Sequence, residues 1–182
     1  MERIVDALMA LTRYEAGLES PQPEPVNLAA ELRREVHKQA VAAEQRGLTI
    51  ELDLPGEVWV HTDSALAHRL LANLLGNAVS HSPQGSTVRV QLRRNGDLSL
   101  ANPAPHLYAA DVPRLGERFY RVDHGEKGSH AGLGLSLADA IARVLGLTLG
   151  LKLRDDGCLV AEVRGFQALD LASAPNDRAE AT

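Results

Sequence analysis

The sequence HRLLANLLGNAVSHSP, residues 68–83, decides how the rest of the chain is interpreted. Its leucines recur at the spacing of an amphipathic helix that packs on a sheet. Asn73, Asn77 and His81 follow at i, i+4 and i+8, so they form a row on another part of the helix surface. Asparagine is unfavourable inside helices because its amide competes for backbone groups. The row is interpreted either as ligands for an ion and a nucleotide or as solvent-facing or capping amides. The predicted apolar stripe is Leu66, Leu70, Leu71, Leu74, Leu75 and Ala78.

Upstream of this helix, the pattern predicts one further helix and two short strands. Asn27 is a suitable N-cap for a helix over residues 28–46, with Leu32, Val36 and Ala40 facing inward. Residues 48–54 alternate as a strand does, and residues 57–60 form a second strand after a Pro-Gly turn. Thr62 or Asp63 then caps the central helix.

Downstream, two hairpins enclose an irregular segment and a third helix. Residues 88–100 alternate around Asn95-Gly96, which predicts a β-hairpin. Residues 102–131 are rich in proline, glycine and charge apart from a short helical piece near 111–119, which is typical of a lid or binding loop. Residues 132–146 form a helix, and residues 147–163 form the second hairpin.

Strand pairs joined by tight turns, with helices between them, indicate the α+β fold class. The predicted architecture is a two-layer α/β sandwich with a mixed, mostly antiparallel sheet and helices on one face. Residues 1–19 are an amphipathic helix, residues 20–25 a proline-rich linker, residues 26–166 the folded domain, and residues 167–182 a disordered tail.

Composition excludes several classes of protein. The 182 residues are 45% hydrophobic and only 3% aromatic, and the net charge of −5 gives no reason to expect nucleic-acid binding. A single cysteine, Cys158, excludes a disulfide framework and reads as a small buried hydrophobic residue. No segment reaches the roughly 18 uncharged apolar residues of a membrane span.

Glycines at positions 132 and 134 open the third helix. The N-terminus of a helix offers free N–H groups and the positive end of the helix dipole, and absent side chains let a phosphate approach the backbone. In isolation, these glycines are equally consistent with a tight turn into the helix. Together with the asparagine row and the preceding loop, they favour a phosphate site.

Taken together, NLLGNAVSHS, ERFYRVD and GLGLSLADAIA resemble the ATP-binding catalytic domain of sensor histidine kinases. This domain belongs to the superfamily with the Bergerat ATP-binding fold that also holds DNA gyrase and MutL. The resemblance covers residues 26–163, and the N-terminal helix resembles the end of the dimerisation and phosphoacceptor hairpin that precedes such domains.

The resemblance implies ATP and Mg²⁺ as ligands. It implies that Asn77 is the Mg²⁺ ligand and that Asn102 lies at the adenine end of the nucleotide. It implies that Gly132 and Gly134 bind the phosphates. Magnesium prefers oxygen ligands, so an amide oxygen among phosphates is chemically sensible. The residues implied to contact ATP are Asn73, Asn77, His81, Asn102, Phe119, Arg121, Lys127, Gly132, Leu133 and Gly134.

The sequence departs from the family pattern in two places. Where the family has an aspartate followed by glycines, this chain reads Asn102-Pro-Ala-Pro-His106, so an uncharged amide replaces the carboxylate. None of the seven histidines lies in the sequence context of the family's phosphoacceptor, so we expect the acceptor outside this chain. Alone, the chain is expected to bind ATP without phosphorylating itself.

The implied partners are the phosphoacceptor hairpin of the same kinase dimer and a response regulator, with no nucleic acid. The resemblance implies a cytoplasmic domain of a membrane-anchored sensor. Two alternatives stay open. One is a serine kinase of the anti-sigma type, which would lack the preceding hairpin helix. The other is a kinase-like module that no longer binds nucleotide and only binds partner proteins. The altered segment after Asn102 favours this second alternative.

Overall fold

The computed structural model describes residues 14, 18–117, 120 and 133–170. Three helices form one layer of the domain: α1 (Leu28–Gln45), α2 (Ser64–His81) and α3 (Gly134–Val144). A 3₁₀-helix, Val112–Arg114, lies in the predicted irregular segment, where a longer helical piece was expected. Proline at its second position fits the start of such a turn but supplies no donor to extend it.

The main sheet has five strands in the order β2-β4-β5-β7-β6. Their bounds are β2 Thr49–Asp53, β4 Thr87–Leu92, β5 Leu98–Pro103, β6 Thr148–Leu153 and β7 Cys158–Arg164. Strands β2 and β4 are parallel because α2 lies between them in sequence, whereas the other neighbours are antiparallel. The predicted mixed, mostly antiparallel α+β sandwich is confirmed.

A second, three-stranded sheet consists of β1 (Glu24–Asn27), β3 (Trp59–Thr62) and β8 (Gln167–Ala168) in the order β1-β3-β8. It corrects three expectations. The second short strand lies two residues later than predicted, the proline-rich linker ends in a strand, and the predicted tail begins with one. Pro25 is tolerated because β1 is an edge strand. Burial of Val26 and Phe166 against the core holds the flanking strands in place.

The core forms between the helices and the main sheet. Every member of the predicted apolar stripe of α2 is buried, and these leucines contact Val88 and Val90 of β4 and Leu98 and Leu100 of β5 within one cluster. Because strand residues alternate between faces, the side chains between these four point away from the helices.

Helix caps and turns follow the sequence signals. Asn27 accepts a hydrogen bond from Ala30 N, and Asp63 rather than Thr62 caps α2 through Leu66 N at 2.9 Å. The hairpin turn between β4 and β5 has Gly96 at φ +89°, where a Cβ would also lie 2.9 Å from Cβ of Phe166. Glycine is therefore required there by both backbone angle and packing.

One buried position was predicted wrongly. Ala40 is exposed, whereas Glu35 is buried at 3% exposure on the inner face of α1. The inward face of this helix follows residues 28, 32, 35 and 43, and a glutamate in that series was not expected to be buried. Cys158 is buried as expected, and burial raises the pKa of its thiol.

Candidate nucleotide site

The asparagine row of α2 meets the beginning of α3. A Cβ placed on Gly134 would lie 3.6 Å from Oδ1 and 3.9 Å from Cβ of Asn77. The two helices pack directly on one another, so the amide of Asn77 borders the first residue of α3. A glycine at this position leaves the space beside the amide oxygen without a side chain from residue 134.

The N-terminus of α3 has backbone N–H groups without side-chain acceptors among the described residues. Its N-cap residue, Leu133, makes no side-chain cap hydrogen bond, and its first turn contains no acidic residue. The carbonyl of Leu133 accepts hydrogen bonds from Leu137 N at 2.9 Å and Ser136 Oγ at 3.1 Å, so Ser136 binds a carbonyl rather than a first-turn N–H. The early N–H groups of such a helix lack intrahelical acceptors and carry the positive end of the dipole.

The three members of the asparagine row are not equivalent. Asn73 is half-buried, and its Nδ2 donates to the carbonyl of Arg69 on its own helix at 2.7 Å. His81 is exposed at the last residue of α2. Asn77 is the member that lies beside Gly134. The structure therefore supports the ligand interpretation best for Asn77, while Asn73 makes a local bond to its own helix.

Asn102 lies near the end of β5, opposite Leu159 of β7. It continues the series of buried residues Leu98 and Leu100 at every second position, so it is on the helix-facing side of the sheet. The residue is only 5% exposed. Its Nδ2 donates to the carbonyl of Pro103 at 3.2 Å. Strand β5 packs against α2, which places Asn102 in the same layer as the asparagine row.

Four of the predicted ATP contacts, Phe119, Arg121, Lys127 and Gly132, lie outside the described residues. Tyr120 beside them is described, and its hydroxyl donates to Oδ1 of Asp111 at 2.9 Å. This hydrogen bond raises the pKa of Tyr120, and the guanidinium of Arg114 lies 4.2 Å from its ring centroid. Asp111 also accepts from Tyr108 N, so one carboxylate ties together both ends of residues 108–120.

A second group of polar residues joins α1 to α2, and sequence reasoning missed it. We call Glu31, Glu35, Lys38, Gln39 and His68 the α1–α2 polar cluster. Lys38 Nζ lies 3.4 Å from Glu35 Oε2 and 3.1 Å from His68 Nε2, while Gln39 Nε2 donates to Glu35 Oε1. The sequence signal that could have found it is the helical spacing of Glu35, which lies three residues after the inward-facing Leu32 and therefore on the same face of the helix.

A groove of about 580 Å³ lies beside this cluster. It is lined by residues from the segment before α1, from α1 and from the first turns of α2, and none of the predicted ATP contacts that the structure describes contributes to it. Its charges are largely paired within the protein, as in the contacts of Glu31 with Arg34 and His68. The groove is therefore distinct from the Asn77–Gly134 site.

Asp63, at the start of α2, does more than cap the helix. Its Oδ2 accepts a hydrogen bond from Gln22 N at 2.9 Å while Oδ1 holds Leu66 N. Tyr14, in the segment predicted to be the N-terminal helix, contacts the hydrophobic core. Burial and the negative charge of Asp63 raise the pKa of Tyr14. The segment before α1 is thus attached to the N-terminus of the helix that carries Asn77.

The candidate metal-ligand atom described beside Gly134 is the amide oxygen of Asn77, and an oxygen ligand suits a hard cation. In the parts of the chain that the structure describes, no group of three or more His, Cys, Asp or Glu side chains is arranged to hold a metal. An amide oxygen beside a glycine matches Mg²⁺, which takes few protein ligands and keeps waters and phosphate oxygens. Over the same described ranges, no helix has the length and apolar content to cross a bilayer.

A helix that begins with a glycine packs beside the helix that carries Asn77, and both helices lie above a mixed sheet, which is the architecture of an α+β sandwich. The profile of the histidine kinase-, DNA gyrase B- and HSP90-like ATPase family matches residues 62–165, which is more than half of the chain. The chain belongs to this family. Its resemblance to sensor histidine kinases is confirmed by relatives and by solved structures.

Among the relatives, the sensor protein CopS of Pseudomonas syringae pv. tomato is 30% identical over 137 residues, covering 73% of this chain and 28% of CopS. The probable sensor protein PcoS of Escherichia coli is 32% identical over 151 residues, covering 80% of this chain and 32% of PcoS. The chain thus spans about a third or less of the length of these relatives.

Solved structures agree in fold. The cytoplasmic segment of the histidine kinase QseC superimposes with a TM-score of 0.65 at 25% identity, covering 91% of each chain. Full-length ShkA in complex with AMPPNP gives a TM-score of 0.74 at 20% identity, covering 92% of this chain and 36% of ShkA. The described domain is therefore the histidine kinase type of ATPase domain.

Proposed function

We propose that this chain is the ATP-binding catalytic part of a two-component sensor histidine kinase. It would transfer the γ-phosphate of ATP, with Mg²⁺, to a histidine outside this chain. The observation that carries the proposal is the position of Asn77 Oδ1 beside Gly134, at the uncapped N-terminus of α3. An amide oxygen then lies beside the first residue of a helix whose early N–H groups lack intrahelical acceptors.

Phosphoryl transfer asks little covalent chemistry of the protein, so catalysis consists of positioning and charge neutralisation. Gly134 and Leu133 would receive the phosphates on the N–H groups of α3, and Asn77 would hold Mg²⁺ through its amide oxygen. When bound, the metal supplies positive charge to the triphosphate. Asn102 would hold the adenine end, while Phe119, Arg121, Lys127 and Gly132 would complete the site from the segment before α3.

The experiment is calorimetric titration of the chain with Mg²⁺ and a non-hydrolysable ATP analogue. Asn77→Ala removes the proposed metal ligand, and we expect affinity to fall by about 100-fold, or about 2.7 kcal/mol. Asn77→Asp keeps an oxygen donor, so it should retain Mg²⁺-dependent binding. Gln91→Ala is a matched control, because Gln91 is an exposed amide that bonds Asp53 on the sheet. Unchanged affinity in Asn77→Ala would contradict the assignment.

The phosphoacceptor hairpin and a response regulator are the proposed partners, and the cytoplasm is the proposed compartment. If the acceptor is separate, the chain incubated with Mg²⁺ and ATP should remain unphosphorylated. It should label a histidine when the preceding hairpin of its parent protein is supplied. Phosphoserine on a partner would instead favour the serine kinase alternative.

The interaction-module alternative is favoured by one observation, the loss of the glycines after Asn102. It predicts that nucleotide leaves the melting temperature unchanged, because a ligand raises stability only by binding the folded state. A rise in melting temperature with Mg²⁺-ATP that is absent in Asn77→Ala would exclude this alternative.

A further inference from the structure

The α1–α2 polar cluster contains a buried carboxylate with one oxygen that makes no hydrogen bond. Oε1 of Glu35 accepts from Gln39 Nε2 at 3.2 Å, whereas Oε2 has no hydrogen-bond partner among the described residues. The side chain of Glu35 is only 4% exposed. Two groups that can carry positive charge lie close to Oε2: Lys38 Nζ at 3.4 Å and His68 Nε2 at 3.9 Å. Because a buried carboxylate is costly without a cation, one of these two groups has to accompany it.

The position of Lys38 defines the protonation state of His68. Lys38 Nζ lies 3.1 Å from Nε2 of the imidazole. An ammonium group can only donate hydrogen bonds, so Nε2 is the acceptor and carries no proton. The ring is therefore neutral, with its proton on Nδ1, which lies 3.6 Å from Oε2 of Glu31. In this state Lys38 is the cation that accompanies Glu35, and His68 accepts a hydrogen bond from it.

Protonation of His68 would reverse these roles. The new N–H at Nε2 would face the ammonium of Lys38 across 3.1 Å, and the two like charges would repel each other. Lys38 can move away, because its side chain is 48% exposed and lines the groove of about 580 Å³. Nε2 then has to approach Oε2 of Glu35 by only about 1 Å to form a hydrogen bond of about 2.8 Å.

We infer that the α1–α2 polar cluster is a proton-operated exchange of cations: when His68 takes up a proton, it replaces Lys38 at the buried carboxylate of Glu35, and Lys38 is released into the groove. Histidine is the side chain whose charge ordinarily changes between about pH 5 and about pH 8, so it is the member of the cluster that can operate near neutral pH. Glu35 keeps a cation in both states. Helices α1 and α2 therefore stay packed, while the positive charge that the groove offers to solvent increases.

The charged groups around His68 carry an excess of negative charge. Among the described residues, four carboxylates and two permanent cations line the groove or lie in the cluster beside it. Arg34 Nη1 is bonded to Oε1 of Glu31 at 2.9 Å, so this cation does not compete for Glu35. A proton on His68 reduces the negative excess, which favours the exchange. The six groups are Glu24 of β1, Glu31, Arg34, Glu35 and Lys38 of α1, and Asp63 at the start of α2.

The primary experiment needs no variant. The chain labelled with ¹³C-lysine is studied by NMR from about pH 8 to about pH 5.5, and the mobility of each lysine Cε methylene is measured. Only three lysines contribute signals: Lys38, Lys127 and Lys152. At pH 8, the Cε of Lys38 should be more ordered than that of Lys152, which is exposed on β6 and serves as the internal control. At pH 5.5 the two should be equally mobile, and the change at Lys38 should share its midpoint with the ring signals of His68.

A Lys38 methylene that stays as ordered at pH 5.5 as at pH 8 would overturn the inference. Two variants, checked for folding by thermal unfolding, identify the group that operates the exchange. His68→Gln keeps an acceptor near Lys38 but cannot titrate, so the pH response of Lys38 should disappear. His37→Gln is the matched control, because His37 is an exposed histidine of α1 next to Lys38 in sequence, and the response should remain. The opposite result in either variant would also overturn the inference.

Lys38→Met tests the other member of the exchange. Methionine keeps an unbranched side chain and removes the ammonium, so a protonated His68 would meet Glu31 and Glu35 without a like charge at Nε2. The midpoint of the His68 ring titration should therefore move to higher pH by at least about half a pH unit relative to the unmodified chain. An unchanged or lower midpoint would show that Lys38 and the proton on His68 do not compete, and the inference would fail.

Discussion

Helix α2 has polar side chains on two sides, and the two sides meet very different surroundings. Toward α1, His68 faces Glu31, Glu35 and Lys38, so polar side chains from two helices are partnered within the protein. Toward α3, Asn77 faces Gly134, which has no side chain to offer. Polar residues at helical spacing therefore do not by themselves mark a binding site; the element that packs opposite them decides whether they are paired or available to a ligand.

The first prediction concerns the side of α2 that faces α1, and its readout is the free energy of unfolding. Glu35→Ala removes a buried carboxylate, its hydrogen bond from Gln39 and its contact with Lys38, and leaves a cavity between α1 and α2. Since Lys38 is half exposed and can return to water, we expect a loss of about 2 kcal/mol in the free energy of unfolding. Urea denaturation measures it.

Two further results test whether the α1–α2 polar cluster is separate from the nucleotide site. Glu35→Gln keeps the volume and is expected to cost less than Glu35→Ala. Nucleotide affinity of the folded Glu35→Ala variant should stay unchanged, and a tenfold loss would mean that the α1–α2 polar cluster belongs to the nucleotide site.

The second prediction concerns the side of α2 that faces α3, and its readout is nucleotide affinity. Gly134→Val would place a branched side chain beside Oδ1 of Asn77, where even a Cβ lies at 3.6 Å. We expect nucleotide affinity to fall by about tenfold, or about 1.4 kcal/mol, because the space between the two helices is filled. Calorimetric titration with an ATP analogue gives the value.

Gly134→Ala is the matched variant. Its Cβ makes ordinary contacts, and alanine is the better helix former by up to about 1 kcal/mol, so stability should rise while nucleotide affinity falls slightly. Unchanged affinity in Gly134→Val would remove the distinction between the two sides of α2.

The smallest effect concerns Asn73, one turn before Asn77. Because its Nδ2 already donates to Arg69 O, Asn73→Ala should weaken nucleotide binding by less than about threefold. The same titration, run beside Asn77→Ala, compares two amides of one helix that differ in what faces them. Equal losses in both variants would show that the row acts as a unit.

The sequence predicted most of the fold because its signals were local. Leucine spacing in α2, the cap at Asn27, and glycines in the turns each act within a few residues, and each is confirmed. The meeting of Asn77 with Gly134 followed from the resemblance rather than from spacing, since no local rule brings together two residues that are 57 positions apart in sequence.

What the sequence did not predict depends on distant partners. Glu35 is buried because Lys38 and Gln39 on its own helix and His68 on the next one surround its carboxylate, and no composition rule anticipates that group. Strand β8 exists because β3 has a second edge to pair, although residues 167–168 are polar and small in the sequence. The Asn102–Pro103 bond depends on one carbonyl direction, which no sequence pattern encodes.

The three-stranded sheet has a mechanical consequence. Strands β1 and β8 pair with opposite edges of β3, which puts Val26 and Ala168, both opposite Val60, about 10 Å apart. Strand β8 is held by pairing at Val60 and His61 and by the bond from Leu169 N to Trp59 O, so its attachment is short. We expect a pull applied through β1 and β8 to detach β8 first, because only two residues pair it with β3, and to leave the five-stranded sheet and its helices intact.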